Sequence, residues 1–189
     1  MPRWVLAALT AFLVAGVAVA LVHKPTTAER ASDLRGFLQE VDSDISSCAA
    51  GVGESLTALH AVEAEHFSSA TDVSDGISVA DQGAANCAPA NNEQIDDLET
   101  YQVPESLDSF GLAGSVTSLV AWAAPDAERV QSDVAQVLAA STPAARTQAQ
   151  ATLTAALRAL NRQRAVADRP VRAAITALRV HAAPPRLPG

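Results

Sequence analysis

One short segment of this 189-residue chain carries residue types that hold metal ions, namely His60, Glu63 and His66. Glu63 and His66 have the Glu-x-x-His spacing, which places a carboxylate and an imidazole on one face of a helix, as in ferritin-like bundles. Such centres need a second Glu-x-x-His motif and further glutamates, and the chain contains no second motif. The segment therefore predicts at most a surface site that captures a metal such as zinc, and His66 equally fits a half-buried core position.

The two cysteines, Cys48 and Cys87, are the other candidates for chemistry. They do not form a Cys-x-x-Cys motif and neither has an obvious activating base beside it in sequence, which argues against thiol catalysis. A bond between them would close a loop of about 40 residues and stabilise the fold by roughly 4 kcal/mol on the chain-entropy estimate. We predict a disulfide between them, the alternative being two buried free thiols.

No complete catalytic motif is recognisable. Gly51-Val52-Gly53 lacks the third glycine of a dinucleotide-binding loop, and the chain has neither a Gly-x-x-x-x-Gly-Lys nor a Gly-x-Ser-x-Gly sequence. Residues 72–76 do not match an EF-hand, because the ligand positions before Asp75 are wrong. The sequence therefore predicts no enzyme activity and no cofactor, and it favours a structural or interaction role.

The elements that must position these residues are predicted to be long helices. Apolar side chains over residues 34–62 recur at alternating intervals of three and four, which is typical of a helix packed lengthwise on its neighbours. A helix over residues 27–67 is therefore predicted, with a second, weaker one over residues 71–86. Low aromatic content, 4% of the chain, argues against a β-sandwich or barrel.

The second half of the chain contains clear helix boundaries. Thr142 followed by Pro143 is a capping residue with proline at the first helical position, so a last long helix begins there. Pro125 is either a kink or a boundary, and Pro170 is expected to kink the last helix. These patterns predict an all-α fold, an up-and-down antiparallel bundle of three to four long helices over residues 25–181, followed by an irregular Pro-rich tail over residues 182–189.

An apolar segment precedes the predicted bundle. Residues 5–22 contain no charge and, as a helix, would span roughly 27 Å, close to the hydrocarbon thickness of a bilayer. Residues 1–24 are therefore either a retained membrane anchor or a signal segment cleaved after Ala18-Val19-Ala20. The numbers of Lys and Arg on the two sides of the apolar segment favour a cytoplasmic location of the domain under the positive-inside rule. The paired cysteines and the Ala-x-Ala sequence instead favour a location in an oxidising compartment. We expect a single-pass membrane protein with its domain outside the cytoplasm, or a secreted domain if the leader is cleaved.

Charge is segregated along the chain, whose net charge is −8. No Lys or Arg occurs over residues 36–128, which hold seventeen acidic residues, whereas residues 129–189 hold nine Arg and two Asp. Spacing places five arginines on the outer face of the last helix: Arg158, Arg162, Arg169, Arg172 and Arg179. They indicate a surface for an anionic membrane, an anionic polymer or a protein partner, the alternative being an ordinary solvated face that partly neutralises the acidic first helix.

The sequence thus predicts a membrane-tethered extracytoplasmic helical bundle that is cross-linked by a disulfide and has a structural or interaction role. The alternative is a secreted protein that binds a metal ion or small ligand through His60, Glu63 and His66. Nucleic acid is not an expected partner, because the chain is acidic overall and has few aromatic residues for base stacking.

Overall fold

A computed structural model of the chain describes residues 24–188. Within this range 83% of the residues are helical, none is in a strand, and six α-helices pack together. The predicted helical class is confirmed; the predicted count of three to four concerned long helices, and the six observed helices include short ones. The apolar residues 5–22 and the predicted leader boundary lie outside the described residues. No helix in the described part of the chain is long and apolar enough to cross a bilayer.

Two of the six helices are much longer than the others, with 38 residues in the first and 36 in the last. Short 3₁₀ turns at Pro89–Asn91 and Glu105–Phe110 precede the third and fourth helices. In chain order the helices are α1 (Thr27–Ala64), α2 (Ala70–Cys87), α3 (Glu93–Thr100), α4 (Leu112–Ala121), α5 (Glu128–Ala139) and α6 (Pro143–Leu178).

Side-chain caps begin both long helices. At α1, Thr26 Oγ1 accepts a hydrogen bond from the Glu29 amide at 3.2 Å, and Glu29 Oε2 accepts one from the Thr26 amide at 2.6 Å. This reciprocal pair satisfies two backbone donors that have no partner within the helix. At α6, Thr142 Oγ1 accepts from the Ala145 amide at 3.2 Å, and Pro143 occupies the first helical position. The predicted start of the last helix is confirmed.

Pro125 marks a boundary between α4 and α5. Ala124, the residue before it, has φ −129° and ψ 118°, which is not helical. The proline ring disfavours the helical region for the residue that precedes it, and because Ala124 is extended here, the regular helix does not run through this point. Pro170, in contrast, lies inside α6, which continues through it to Leu178.

The six helices bury one apolar core. α1 packs along α2, α2 packs along α5, and α6 packs on α4 and α5, so α5 lies between α2 and α6. α1 has only limited contact with α6. The predicted seam of α1 is buried along its whole length, and so is Ser55, the one polar residue that interrupts it. Trp122 is the largest fully buried side chain.

Residues 179–188, which follow α6, have no regular secondary structure and fold back on the bundle. Val180 and Leu187 are buried and belong to the core cluster. Arg186 and Leu187 line a groove together with Ile45 and Ala49 of α1. The chain after α6 therefore covers part of α1.

Candidate functional site

The two cysteines link α1 to α2. The Sγ atoms of Cys48 and Cys87 are 2.02 Å apart, and both residues are fully buried. The cysteine pair expected from the sequence is therefore present at bonding distance. Because the two sulfur atoms are bonded to each other and fully buried, they are not available to an external reactant.

Beside the disulfide, α1, α2 and α5 approach closely through two glycines and one buried amide. A Cβ atom on Gly51 would lie 2.8 Å from the Cα of Gly83, and a Cβ on Gly83 would lie 1.8 Å from Oε1 of Gln131. Gln131 fills this space from α5: its Nε2 group donates to Cys87 Sγ at 3.1 Å, and its Oε1 accepts from Ser55 Oγ at 3.4 Å. The close approach of α1, α2 and α5, which we call the glycine crossing, therefore depends on glycine at both position 51 and position 83.

Sequence reasoning missed Gln131 and the glycine crossing. The available signal was spacing, because Gln131 falls four residues after Ala127 and three before Val134, both of which are buried. A glutamine at such a position is expected to be buried and to need hydrogen-bond partners. No sequence signal identifies those partners, since they come from two other helices.

A buried acidic group lies farther along α1. Asp44 is 9% exposed, and no protein group in the described chain donates a hydrogen bond to it. Burial raises the pKa of its carboxyl group, and the nearby carboxylates of Glu40 and Asp97 raise it further. Burial, followed by the charges of Glu40 and Asp44, also raises the pKa of Tyr101, whose ring packs against Phe37 with centroids 5.9 Å apart.

The three residues of the predicted metal site do not form a common site. α1 ends at Ala64, and His66 lies beyond it with a φ of 56°, so the helical Glu-x-x-His geometry does not extend to His66. Glu63 Oε1 instead accepts a hydrogen bond from Gln150 Nε2 of α6 at 3.0 Å. His60 and His66 are exposed. Among the described residues, no three His, Cys, Asp or Glu side chains are grouped so that they could hold a metal ion.

The end of α1 instead contacts the start of α6. The guanidinium carbon of Arg146 lies 3.5 Å from the ring centroid of Phe67, and Arg146 Nη2 donates to the Ala140 carbonyl at 3.0 Å. A guanidinium over an aromatic face is attracted by the negative face of the ring. The Glu63–Gln150 hydrogen bond lies in the same region, so this end of the bundle serves to hold helices together.

The five arginines of the predicted outer face are all exposed. Arg158, Arg162, Arg169 and Arg172 fall within an arc of about 80° on α6 and along about 21 Å of its axis. We call these four residues the arginine stripe. Arg179 is not part of the helix, because it follows Leu178 with a left-handed φ of 53°.

The arginine stripe is not neutralised by the acidic half of the protein. Arg172 pairs with Asp168 of the same helix at 3.2 Å. In the part of the chain that the structure describes, Arg158, Arg162 and Arg169 have no ion pair or side-chain hydrogen bond, and no arginine of α6 pairs with an acidic residue of α1, α2 or α3. The neutralisation considered from the sequence is therefore not formed, because α1 and α6 have little contact.

One apolar side chain, Val166, borders the arginine stripe; it is 56% exposed and is the only large hydrophobic residue exposed in the described chain. It follows Arg162 by four residues and precedes Arg169 by three, so it shares a helix surface with both. A surface that combines guanidinium groups with an exposed valine offers both ionic and apolar contacts.

No protein-family model, no curated protein sequence and no solved structure matches this chain. Guanidinium groups bind carboxylates and phosphates through paired N–H donors, and they do so without losing their charge at any physiological pH. The arginine stripe is chemically suited to an extended anionic surface.

Proposed function

We propose that this chain is a membrane-tethered, extracytoplasmic helical-bundle protein whose role is interaction, with the arginine stripe binding anionic lipid headgroups of the membrane that holds it. In this proposal residues 5–22 form the apolar tether, and the domain is an up-and-down antiparallel bundle. The role is one of binding and not of catalysis. The single observation that carries the proposal is that Arg158, Arg162 and Arg169 are exposed along one helix face and have no ion-pair partner among residues 24–188.

Contacts at the two ends of the long helices support the antiparallel arrangement. Glu63, near the end of α1, is bonded to Gln150, near the start of α6. Arg35, near the start of α1, lines a groove together with Ala182, which follows the end of α6. The end of α6 is therefore the end of the bundle that is closest to the proposed tether, and Arg172 is the member of the arginine stripe nearest to the bilayer.

The buried disulfide supports the extracytoplasmic location. Structural disulfides persist in oxidising compartments and are rare in the reducing cytosol. The anionic surface of a bilayer attracts each nearby Lys or Arg by about 1 kcal/mol, and this attraction decays within a Debye length. Four arginines on one face would together hold the bundle against the membrane, with Val166 placed among the headgroups.

Arginine footprinting on the full chain tests this proposal. The chain is reconstituted into nanodiscs of neutral phosphatidylcholine or of phosphatidylcholine with phosphatidylglycerol, treated with phenylglyoxal, and analysed by mass spectrometry. We expect each arginine of the stripe to react about fivefold more slowly in the anionic bilayer, the change that about 1 kcal/mol produces. This protection should disappear at high salt.

Arg129, an exposed arginine outside the stripe and away from the tether end of α1, is the internal control, and its rate should not depend on lipid charge. A matched pair of variants extends the test: Arg162→Gln should weaken the protection of the remaining stripe residues, whereas Arg129→Gln, which removes the same charge, should not. Equal reaction rates of the stripe in the two bilayers would overturn the proposal.

A further inference from the structure

Asp133 is a buried carboxyl group without a protein partner. It lies on α5, is 5% exposed, and its Oδ2 atom is buried without a hydrogen bond from any described residue. Burial raises the pKa of its carboxyl group, and the positive charge of Arg129, one helical turn earlier, opposes that effect. A buried polar atom left without a partner costs free energy, so its presence in a native fold calls for an explanation.

An open groove of 590 Å³ explains the position of this carboxyl group. Asp133 lines the groove together with Glu128, Arg129, Ser132 and Gln136 of α5, and Thr152 of α6 forms the opposite side. Pro125, which directly follows the helical break at Ala124, lines the same groove. The volume of the groove is within the range of small-molecule sites.

The charges of this groove have opposite signs one turn apart. Arg129 and Asp133 are four residues apart on α5, yet they form no ion pair. The guanidinium group of Arg129 is exposed, whereas the carboxyl group of Asp133 is buried. Both groups are therefore free to bind a ligand that carries the complementary pair of charges.

We propose that this groove binds a small zwitterion of the free amino acid class, with the ammonium group held by Asp133 and the carboxylate held by Arg129. Each ligand charge then meets an opposite charge, and the ammonium donates to the part of the Asp133 carboxylate that lines the groove. The side chains of Ser132 and Gln136 have no hydrogen bond within the described chain and add neutral donors and acceptors beside the two charges. This site is independent of the arginine stripe and of the proposed membrane interaction.

Equilibrium dialysis of the full chain in neutral nanodiscs tests the site. The protein is dialysed against an equimolar mixture of the twenty amino acids, each at about 1 mM, a concentration that detects weak small-molecule binding, and the two chambers are compared by mass spectrometry. Methylamine and acetate are the single-charge probes. We expect enrichment of at least one amino acid in the protein chamber and no comparable enrichment of methylamine or acetate.

Two variants then assign the binding to this groove. Asp133→Asn and Arg129→Gln should each weaken binding of the retained amino acid by about tenfold or more, because each removes one charge-assisted contact. Arg129 is exposed, so its variant is expected to fold, and circular dichroism checks both. Asp75→Asn and Arg35→Gln, at exposed positions elsewhere, should leave binding unchanged. The proposal is overturned if no amino acid is enriched, if methylamine is retained as strongly, or if both groove variants bind normally.

Discussion

Gln131 donates a hydrogen bond of 3.1 Å from its Nε2 group to the Sγ atom of Cys87. This contact joins α5 to the disulfide that already links α1 to α2. Sulfur is a weak acceptor, so the bond itself contributes modestly. The location of the Gln131 amide matters more than the strength of this bond. The amide fills the space that Gly51 and Gly83 leave open, and it therefore determines how α1, α2 and α5 pack together.

Substitution of Gly83 tests the glycine crossing. We expect Gly83→Ala to lower the free energy of unfolding by about 2–3 kcal/mol, the cost of forcing an extra methyl group into a filled core. The Cβ atom would lie 1.8 Å from Gln131 Oε1, and the glutamine cannot move away without breaking its bonds to Cys87 and Ser55. Urea denaturation measures the change.

Gly53→Ala is the matched control on α1. No atom lies within 4 Å of a Cβ built at Gly53. Alanine costs less backbone entropy than glycine within a helix, so this variant should gain about 0.5–1 kcal/mol. If the two variants change stability by the same amount and in the same direction, the close crossing at Gly83 is not a feature of the protein.

Removal of the disulfide should cost more than any single core substitution of similar size. The cysteines are 39 residues apart in sequence. The chain-entropy relation gives about 4 kcal/mol for a loop of this length, so the Cys48→Ala, Cys87→Ala double variant should be less stable by about that amount. Urea denaturation of the parent and the variant, both under non-reducing conditions, measures the difference.

The oxidation state in the cell is a separate measurement. Both sulfurs are fully buried, so a thiol reagent reaches them only after denaturation. Cells should therefore be quenched in acid, denatured, and treated with a maleimide of known mass, with and without prior reduction. We expect a mass increase of two labels only after reduction. Two labels without reduction would place the domain in reducing surroundings and contradict the extracytoplasmic proposal.

Asp44 predicts a pH dependence of stability. Its carboxyl group has an ordinary pKa of 3.8, and burial with nearby carboxylates raises that pKa in the folded protein. The folded state therefore binds a proton more tightly than the unfolded chain, and stability falls as the pH rises from the unfolded pKa through the folded one. Asp44→Asn should be more stable than the parent at pH 7, with a smaller loss of stability between acid and neutral pH.

Asp75→Asn, which removes the same charge at an exposed position of α2, is the control for this prediction. Thermal unfolding across the pH range compares the three proteins. A pH profile of Asp44→Asn that superimposes on that of the parent would show that the carboxyl group of Asp44 is not held in the environment described.

The contact between Phe67 and Arg146 is suited to a double-mutant cycle. Phe67→Leu keeps an apolar side chain but removes the aromatic face, and Arg146→Gln removes the cation that lies 3.5 Å above it. A coupling energy of about 1 kcal/mol is expected for a partly exposed pair of this type. Urea denaturation of the two single variants and the double variant measures it, and strictly additive changes would contradict a direct interaction.

Local features of the helices were predictable from sequence. The three-four spacing of α1 gave its buried face correctly, and Thr142 with Pro143 located the start of α6. Whether Pro125 is a kink or a boundary is not decided by sequence, which does not reveal whether neighbouring helices support a kink. The predicted three to four helices are the long ones only, and the six in the described residues include the short α3 and α4.

The candidate site was only partly predictable. Helical spacing identified the arginine stripe, but the absence of ion pairs to the acidic helices followed from packing, since α6 lies against α4 and α5 and has little contact with α1. His66 shared the spacing of a helical ligand, and the end of α1 at Ala64 removed that geometry. No sequence pattern indicated that Asp133 is buried, because its burial depends on the packing of α5 against α6.

The sequence by itself determined the helical class, the cap at Thr142, the buried seam of α1, the cysteine pair and the segregation of charge, because each depends on residues close together on one helix or on composition. Tertiary structure alone decided the glycine crossing around Gln131, the exposure of the arginine stripe without partners and the groove beside Asp133. The physical reason is that burial, pairing and groove shape depend on which helix faces meet, and that choice involves contacts between residues far apart in the chain.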